Sequence, residues 1–348
     1  MIHVLLAMLG LWLLFLILRS MIRIALMNRH YQDFFAHATG RVVYKFISFW
    51  LRTDRRKGSL HRILLWYFPT YILSLILVYF SGAMIAFLLL YWATAAVDTW
   101  RQAFLASGSA LNTLGFATPT TIAGQLLSIP EGALGLGIVV FLFTFIPGYQ
   151  AVIRLREDKT SWLYVRTDNR PTGMGLLGWC KRAGIAEDMT EMWESWEEWF
   201  RTLADTHSVL PSLAMSPSVQ SDQSWVLAAA AVLDAAALAA SSMDTPDVEA
   251  AKICVRTGTR ALLAIAEALG QTTEGATPVI AHLSEEAFEA MRNDLYSIGL
   301  PLKLAVDAAP QWKEFLVLRG GYENALAFIA HRTFAPMEYN LVDIHARR

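Results

Sequence analysis

The run QAFLASGSALNTLGFATPTTIAGQLLSIP, residues 102–130, carries no charged side chain and stands between two longer apolar segments. Ser107, Ser109, Asn112, Thr113, Thr118, Thr120 and Thr121, together with Pro119 and Pro130, make it a poor lipid-facing helix. Whether it crosses a bilayer or dips in and returns sets the side on which the rest of the chain lies. Its reading therefore decides the fold.

Working outward, the chain has 348 residues, of which 55% are hydrophobic and only 17% charged. A mean hydropathy of +0.38 is too apolar for an ordinary soluble protein of this length, so a membrane protein is expected. The net charge of −1 hides an asymmetry: Arg19 to Arg62 holds ten Lys or Arg against two acids, Asp33 and Asp54. Basic blocks of this kind face the cytoplasm. Cys180 and Cys254 stand far apart, without metal-ligand spacing and without the density of a disulfide framework.

Three segments read as crossings. Ile2 to Leu18 is a charge-free run of seventeen residues followed by Arg19 and Arg23, the reverse of a signal peptide's order, so an uncleaved anchor with its N-terminus outside is expected. Ile63 to Val97 is uncharged for thirty-five positions, with Trp66, Tyr67, Tyr91 and Trp92 at its ends as interface belts. Gly132 to Ile153 follows, with Glu131 before it and Arg154 and Arg156 after it. Three crossings put every basic cluster and the C-terminus in the cytoplasm. A fourth crossing at 102–130 would carry Arg154, Arg156 and Lys159 outside, so that segment is expected to be re-entrant. Between the first two crossings, Phe34, Phe35, Val42, Val43, Phe46, Ile47 and Trp50 recur at mostly helical spacing beside Arg41, Lys45 and Arg52, which predicts an amphipathic helix on the inner leaflet. Arg55-Arg56-Lys57 reads as a turn facing phospholipid.

Beyond Arg154 the composition changes to that of a helical domain. Glu187 to Ala204 places Trp193, Trp196, Trp199 and Phe200 at three- and four-residue spacing, a packed face by its pattern. Trp225 to Ala240 is alanine-rich, and Asp234 in its middle argues against membrane insertion. Further helices are expected over Asp247 to Leu269, Ser284 to Ser297, Gln311 to Val317 and Tyr322 to Phe334. Gly173-Met174-Gly175-Leu176-Leu177-Gly178 has dinucleotide-loop spacing, but no strand leads into it. His207, His282 and His331 have no metal-ligand spacing, and no nucleophile elbow or other catalytic constellation is visible, so an enzyme is not expected. The basic runs adjoin membrane segments, which accounts for them without nucleic acid.

The order of outer helix, short amphipathic helix, uncharged loop and inner helix over Ile63 to Ile153 resembles the pore module of the two-transmembrane potassium channel family. The family's filter reads Thr-Val-Gly-Tyr-Gly, and the matching residues are Thr113-Leu114-Gly115-Phe116-Ala117. The resemblance implies four subunits around one axis, with filter carbonyls replacing the hydration shell of a cation. Gly115 suits the unusual backbone that such a string needs, and Phe116 stands where the family has tyrosine. Ala117 departs from the family's second glycine: a left-handed backbone there would strain alanine by about 1–2 kcal/mol. Thr118 replaces the acid that commonly follows, leaving Asp98 and Glu131 as the outer-mouth residues. The hinge candidates are Gly135 and Gly137 near the outer end of the inner helix, and Pro147-Gly148 near its inner end.

The sequence thus predicts an all-α integral membrane protein with three transmembrane helices, a re-entrant pore loop and an α-helical cytosolic domain. Its parts are an N-terminal transmembrane helix (residues 1–27), a cytoplasmic basic amphipathic linker (28–62), the pore module (63–153) and the cytosolic helical domain (154–348). The expected function is passive cation permeation by a homotetramer in the plasma membrane. Potassium is the expected ion, with sodium as the other candidate. No cofactor is called for, and membrane lipids and a cytosolic ligand or protein are the further partners. The alternative is a non-conducting, membrane-tethered helical scaffold or regulatory protein.

Overall fold

A computed structural model describes residues 1–26, 33–53, 60–271, 283–303 and 309–335. Arg55-Arg56-Lys57 and His282 lie outside the described residues. Among the described residues the chain is all-helical, with fourteen α-helices and one isolated antiparallel bridge between Met243 and Leu302. Four helices among the described residues are long and apolar enough to cross a membrane: Ile2–Ile24, Leu60–Ala93, Ile122–Arg166 and Trp225–Ser242. The chain divides into two units, Met1–Ala151 and Val152–Arg348.

In the first unit, α1 (Ile2–Leu26) packs along α4 (Tyr67–Ala93). Small residues allow the approach: a Cβ at Gly10 would stand 2.9 Å from the Ala86 carbonyl oxygen. Further along the same contact, the Ser20 and Tyr79 hydroxyls lie 2.8 Å apart, and Ser20 donates to Asp33 Oδ1 at 2.7 Å. That carboxylate also accepts from the Ala36 amide at 3.0 Å, capping α2 (Phe34–Thr53). The short α3 (Leu60–Leu65) ends at a turn around Trp66, just before Pro69, whose missing N–H leaves the Leu65 carbonyl without its helical donor. The expected uncharged crossing is therefore broken near its start. Next come α5 (Trp100–Leu111), opened by a capping box between Thr99 and Gln102, and α6 (Ile122–Arg166). At 45 residues α6 is far longer than the 132–153 expected, running on through Pro130 and Pro147 and across the division between the units.

The second unit is built around α10 (Trp225–Ser242), in which every residue but Leu227 is buried. Against it pack α7 (Gly173–Arg182), α11 (Val248–Ala268), α13 (Ala309–Gly320) and α14 (Glu323–Thr333). Burial on all sides explains why α10 is as apolar as a membrane span. Its single charge is satisfied: Tyr322 donates to Asp234 Oδ1 at 2.5 Å, and Arg319 Nε lies 3.7 Å from the same oxygen. The tryptophan face belongs to α8 (Thr190–His207) and is core, with Trp193 donating to Asp247 Oδ2 at 2.7 Å and Trp199 to the Arg156 carbonyl at 3.3 Å. Short α9 (Pro211–Met215) and α12 (Glu285–Ser297) complete the unit. The glycine-rich run at 173–178 is the first turns of α7. Thr172 caps it, and Gly173 lies so close to α10 that a Cβ would be 2.9 Å from the Ala235 nitrogen.

Candidate functional site

The segment 102–130 becomes α5, a ten-residue connection and the start of α6. Its path follows from contacts inside the first unit. The chain leaves α4 at Ala93, yet Ser107 of α5 reaches back to the Met84 carbonyl at 3.3 Å, so α5 runs back alongside α4. Ala103 and Ala106 are buried with Phe87, Leu90, Tyr91 and Ala96 in that contact. The connection then returns, because Thr121 Oγ1 donates to the Ala96 carbonyl at 3.0 Å, beside the end of α4. From there α6 descends past the end of α5: a Cβ at Gly132 would lie 3.3 Å from the Ala110 oxygen, and one at Gly135 only 1.8 Å from the Leu111 oxygen. Thirteen residues separate Ile122 from Gly135, so the connection climbs about 20 Å along α6.

The three helices are fastened at one buried carboxylate. Glu131 is 0% exposed; Tyr91 of α4 donates to Oε2 at 2.8 Å and Ser107 of α5 to Oε1 at 2.5 Å. Expected at an outer mouth, Glu131 is instead enclosed within its own chain. Asp98 is exposed in the bend before α5, where its amide donates to Gln102 Oε1 at 3.0 Å.

The residues matched to a filter lie where α5 unwinds. Asn112 donates its side-chain amide to the Gly108 carbonyl at 2.9 Å. The amides of Leu114 and Gly115 turn back to the Ser109 carbonyl at 2.9 and 3.4 Å, and that of Ala117 to Ser109 Oγ at 3.0 Å. Among the described residues, no hydrogen bond reaches the carbonyls of Thr113, Leu114, Gly115, Phe116 or Ala117. Left-handed backbone occurs at Thr113, φ 55°, and Gly115, φ 71°, and not at Ala117. The strain considered for alanine is thus absent, and threonine carries the positive φ. Leu114 and Phe116 are 67% and 65% exposed within one chain.

The hinge candidates separate by environment. Gly135 is a contact residue, held against α5. Gly137 meets nothing within 4 Å and lines an apolar groove of about 560 Å³ with Leu14 and Leu18 of α1 and Phe141 of α6. Pro147 and Gly148 lie inside continuous helix, beside the Phe68–Tyr149 ring stack at 3.8 Å between centroids.

In the second unit, His207 is fully buried between Arg156 and the Trp225 ring. Burial, and then the Arg156 charge, push its pKa well below the ordinary value. Arg156 donates to the carbonyls of Leu213 and Ser216 at 2.9 and 3.0 Å, closing the end of α9. Both cysteines are free and buried, and burial raises the Cys180 thiol to about 12 and Cys254 higher still. No group of three or more His, Cys, Asp or Glu residues that could hold a metal ion occurs among the described residues.

Compared with known proteins, the chain matches no family model, no curated protein and no solved structure.

Proposed function

We propose that the protein is a cation channel whose re-entrant segment is α5 with residues 112–121. The single observation that carries this reading is the polarity of Thr113 to Ala117: the amides of Leu114, Gly115 and Ala117 turn back onto Ser109 and that of Thr113 onto the Ala110 carbonyl, while the carbonyls of the string are left without protein donors. Carbonyls so placed, in a segment with no charge from Gln102 to Pro130, can exchange for the water around a monovalent cation. The return path along α4 and α6 supports the reading. A lone descending helix would strand its polar end in hydrocarbon, whereas a hairpin brings the chain back to the side it entered from.

In this reading three helices cross the plasma membrane, α1, α4 with α3, and α6, with the N-terminus outside and the second unit in the cytoplasm. Four copies surround the axis, and neighbours cover Leu114 and Phe116. Potassium is the expected ion and sodium the competitor, since one glycine, Gly115, serves the string. Asp98 supplies negative charge at the mouth, and Gly137 and Pro147-Gly148 are the remaining hinge candidates because Gly135 is committed to packing against α5. The test is flux through proteoliposomes of the full chain, paired with the assembly's mass. Cation flux that Gly115→Asp alters, from a tetramer, is the expected result. No potassium or sodium flux, or an assembly other than a fourfold ring, would overturn it.

A further inference from the structure

The apolar positions of α2 are shared between two faces. Val43 and Ile47 are 2% and 4% exposed, and a Cβ at Gly40 would lie 3.8 Å from the Tyr67 hydroxyl and the Tyr71 ring of α4. Val42, Phe46, Phe49 and Trp50 are turned outward, each more than half exposed. At 3.6 residues per turn, Arg41 and Lys45 fall along one edge of that outward arc, and both are exposed. The helix carries no Asp or Glu from Phe34 to Thr53. It is also held in place, since Asp33 ties its first turn to Ser20 of α1, which in turn meets Tyr79 of α4.

We propose that this outward arc is a docking surface for anionic phospholipid headgroups, which the protein selects over zwitterionic ones. Through Gly40 on its inward face α2 packs beside Tyr67, at the start of the apolar helix α4, where a spanning helix meets the headgroup layer. Aromatic rings suit that layer, having an apolar body that sits at the acyl boundary. Arg41 and Lys45 at its edge, with no acid on the helix, match a negatively charged leaflet and offer nothing to a basic partner. Because α2 is fastened to α1 and α4 beforehand, docking orders no free helix. Each basic residue close to an anionic leaflet strengthens association about fivefold, so the pair sets roughly 25-fold as the upper bound of the selectivity. The inference stands independently of ion conduction.

The experiment uses the full chain in phosphatidylcholine nanodiscs doped with a trace of photoreactive phosphatidylglycerol or, in parallel, photoreactive phosphatidylcholine. Crosslinks are mapped by mass spectrometry. The expected result is preferential phosphatidylglycerol labelling of the peptide holding Arg41 to Trp50. Arg41→Gln with Lys45→Gln should bring that preference close to parity, and Arg41→Lys with Lys45→Arg should keep it. Should the double variant misfold by circular dichroism, Lys45→Gln alone should lower the preference about fivefold. Equal labelling by the two lipids, a preference unchanged by neutralisation, or a peptide labelled by neither lipid because protein covers it would each overturn the proposal.

Discussion

Gly135→Ala and Gly137→Ala make a matched pair, two residues apart in α6 and so about half a turn apart, alike in backbone and different in environment. Both replace glycine inside α6 and gain about 1 kcal/mol of helix propensity. They differ in what the new methyl meets. At Gly137 nothing lies within 4 Å, whereas at Gly135 the Cβ would sit 1.8 Å from the Leu111 oxygen and 2.8 Å from its carbonyl carbon. Reaching ordinary contact requires α5 and α6 to part by roughly 1.6 Å, against a buried Leu111 and the hydrogen bonds that close the end of α5. Overpacking of this kind costs about 1–3 kcal/mol. Because the propensity gain is common, the difference between the variants isolates the steric cost. At about 2–4 °C per kcal/mol for a unit the size of Met1–Ala151, Gly135→Ala should lose its monodisperse elution peak in detergent at a temperature clearly below that of Gly137→Ala. Equal midpoints, or the reverse order, would refute the close approach of α6 to the end of α5. With it would go the return path inferred for residues 112–121.

Glu131→Ala leaves the Tyr91 hydroxyl buried without its acceptor and should lower stability by about 1–3 kcal/mol for that group alone; adding Tyr91→Phe should recover part of the loss, read as a double-mutant cycle in the same thermal assay. His207 should make stability depend on pH. Its folded pKa lies below the ordinary 6.5, so above 6.5 the full contribution is present, and below it the unfolded chain takes up a proton that the folded one refuses. Stability should therefore fall by up to about 1.4 kcal/mol per pH unit on acidification below 6.5, and a denaturant series on His207→Gln should lose that slope. Cys180 and Cys254 should resist maleimide at pH 8 in the folded protein and react only when it unfolds, because burial keeps both thiols protonated.

Charge-free length was the most legible feature. Ile2 to Leu18 and Ile63 to Val97 foretold α1 and α4, since a run without charge leaves a helix little other use. The ends of α6 were not legible, because the sequence boundaries were drawn at charges. Glu131 marked a start at 132, yet its carboxylate is buried on donors 24 and 40 residues away, and the helix begins at Ile122. A one-dimensional pattern shows that a residue is charged but not that two hydroxyls wait for it. α2 was legible as a helix, but its apolar spacing does not divide into two faces, because Val43 and Phe46 look alike until one is seen buried and the other exposed. Within the candidate site, the neutral composition and the glycine were readable. That Thr113 takes the left-handed turn depends on Ser109 capturing the amides that follow, a contact between residues the sequence gives no reason to pair.

Asp234 has a consequence for biogenesis. As it leaves the ribosome, the stretch Trp225–Ser242 is a hydrophobic 18-mer that insertion machinery would weigh as a membrane segment. One aspartate at its centre opposes insertion by about 2.5–3.5 kcal/mol, enough to turn a marginal stretch away from the bilayer. Its partner Tyr322 lies 88 residues downstream and is synthesised only later, after which the same charge becomes an internal tether of the folded core. The charge that would oppose insertion of the nascent stretch is, in the folded chain, the acceptor that joins α10 to Tyr322.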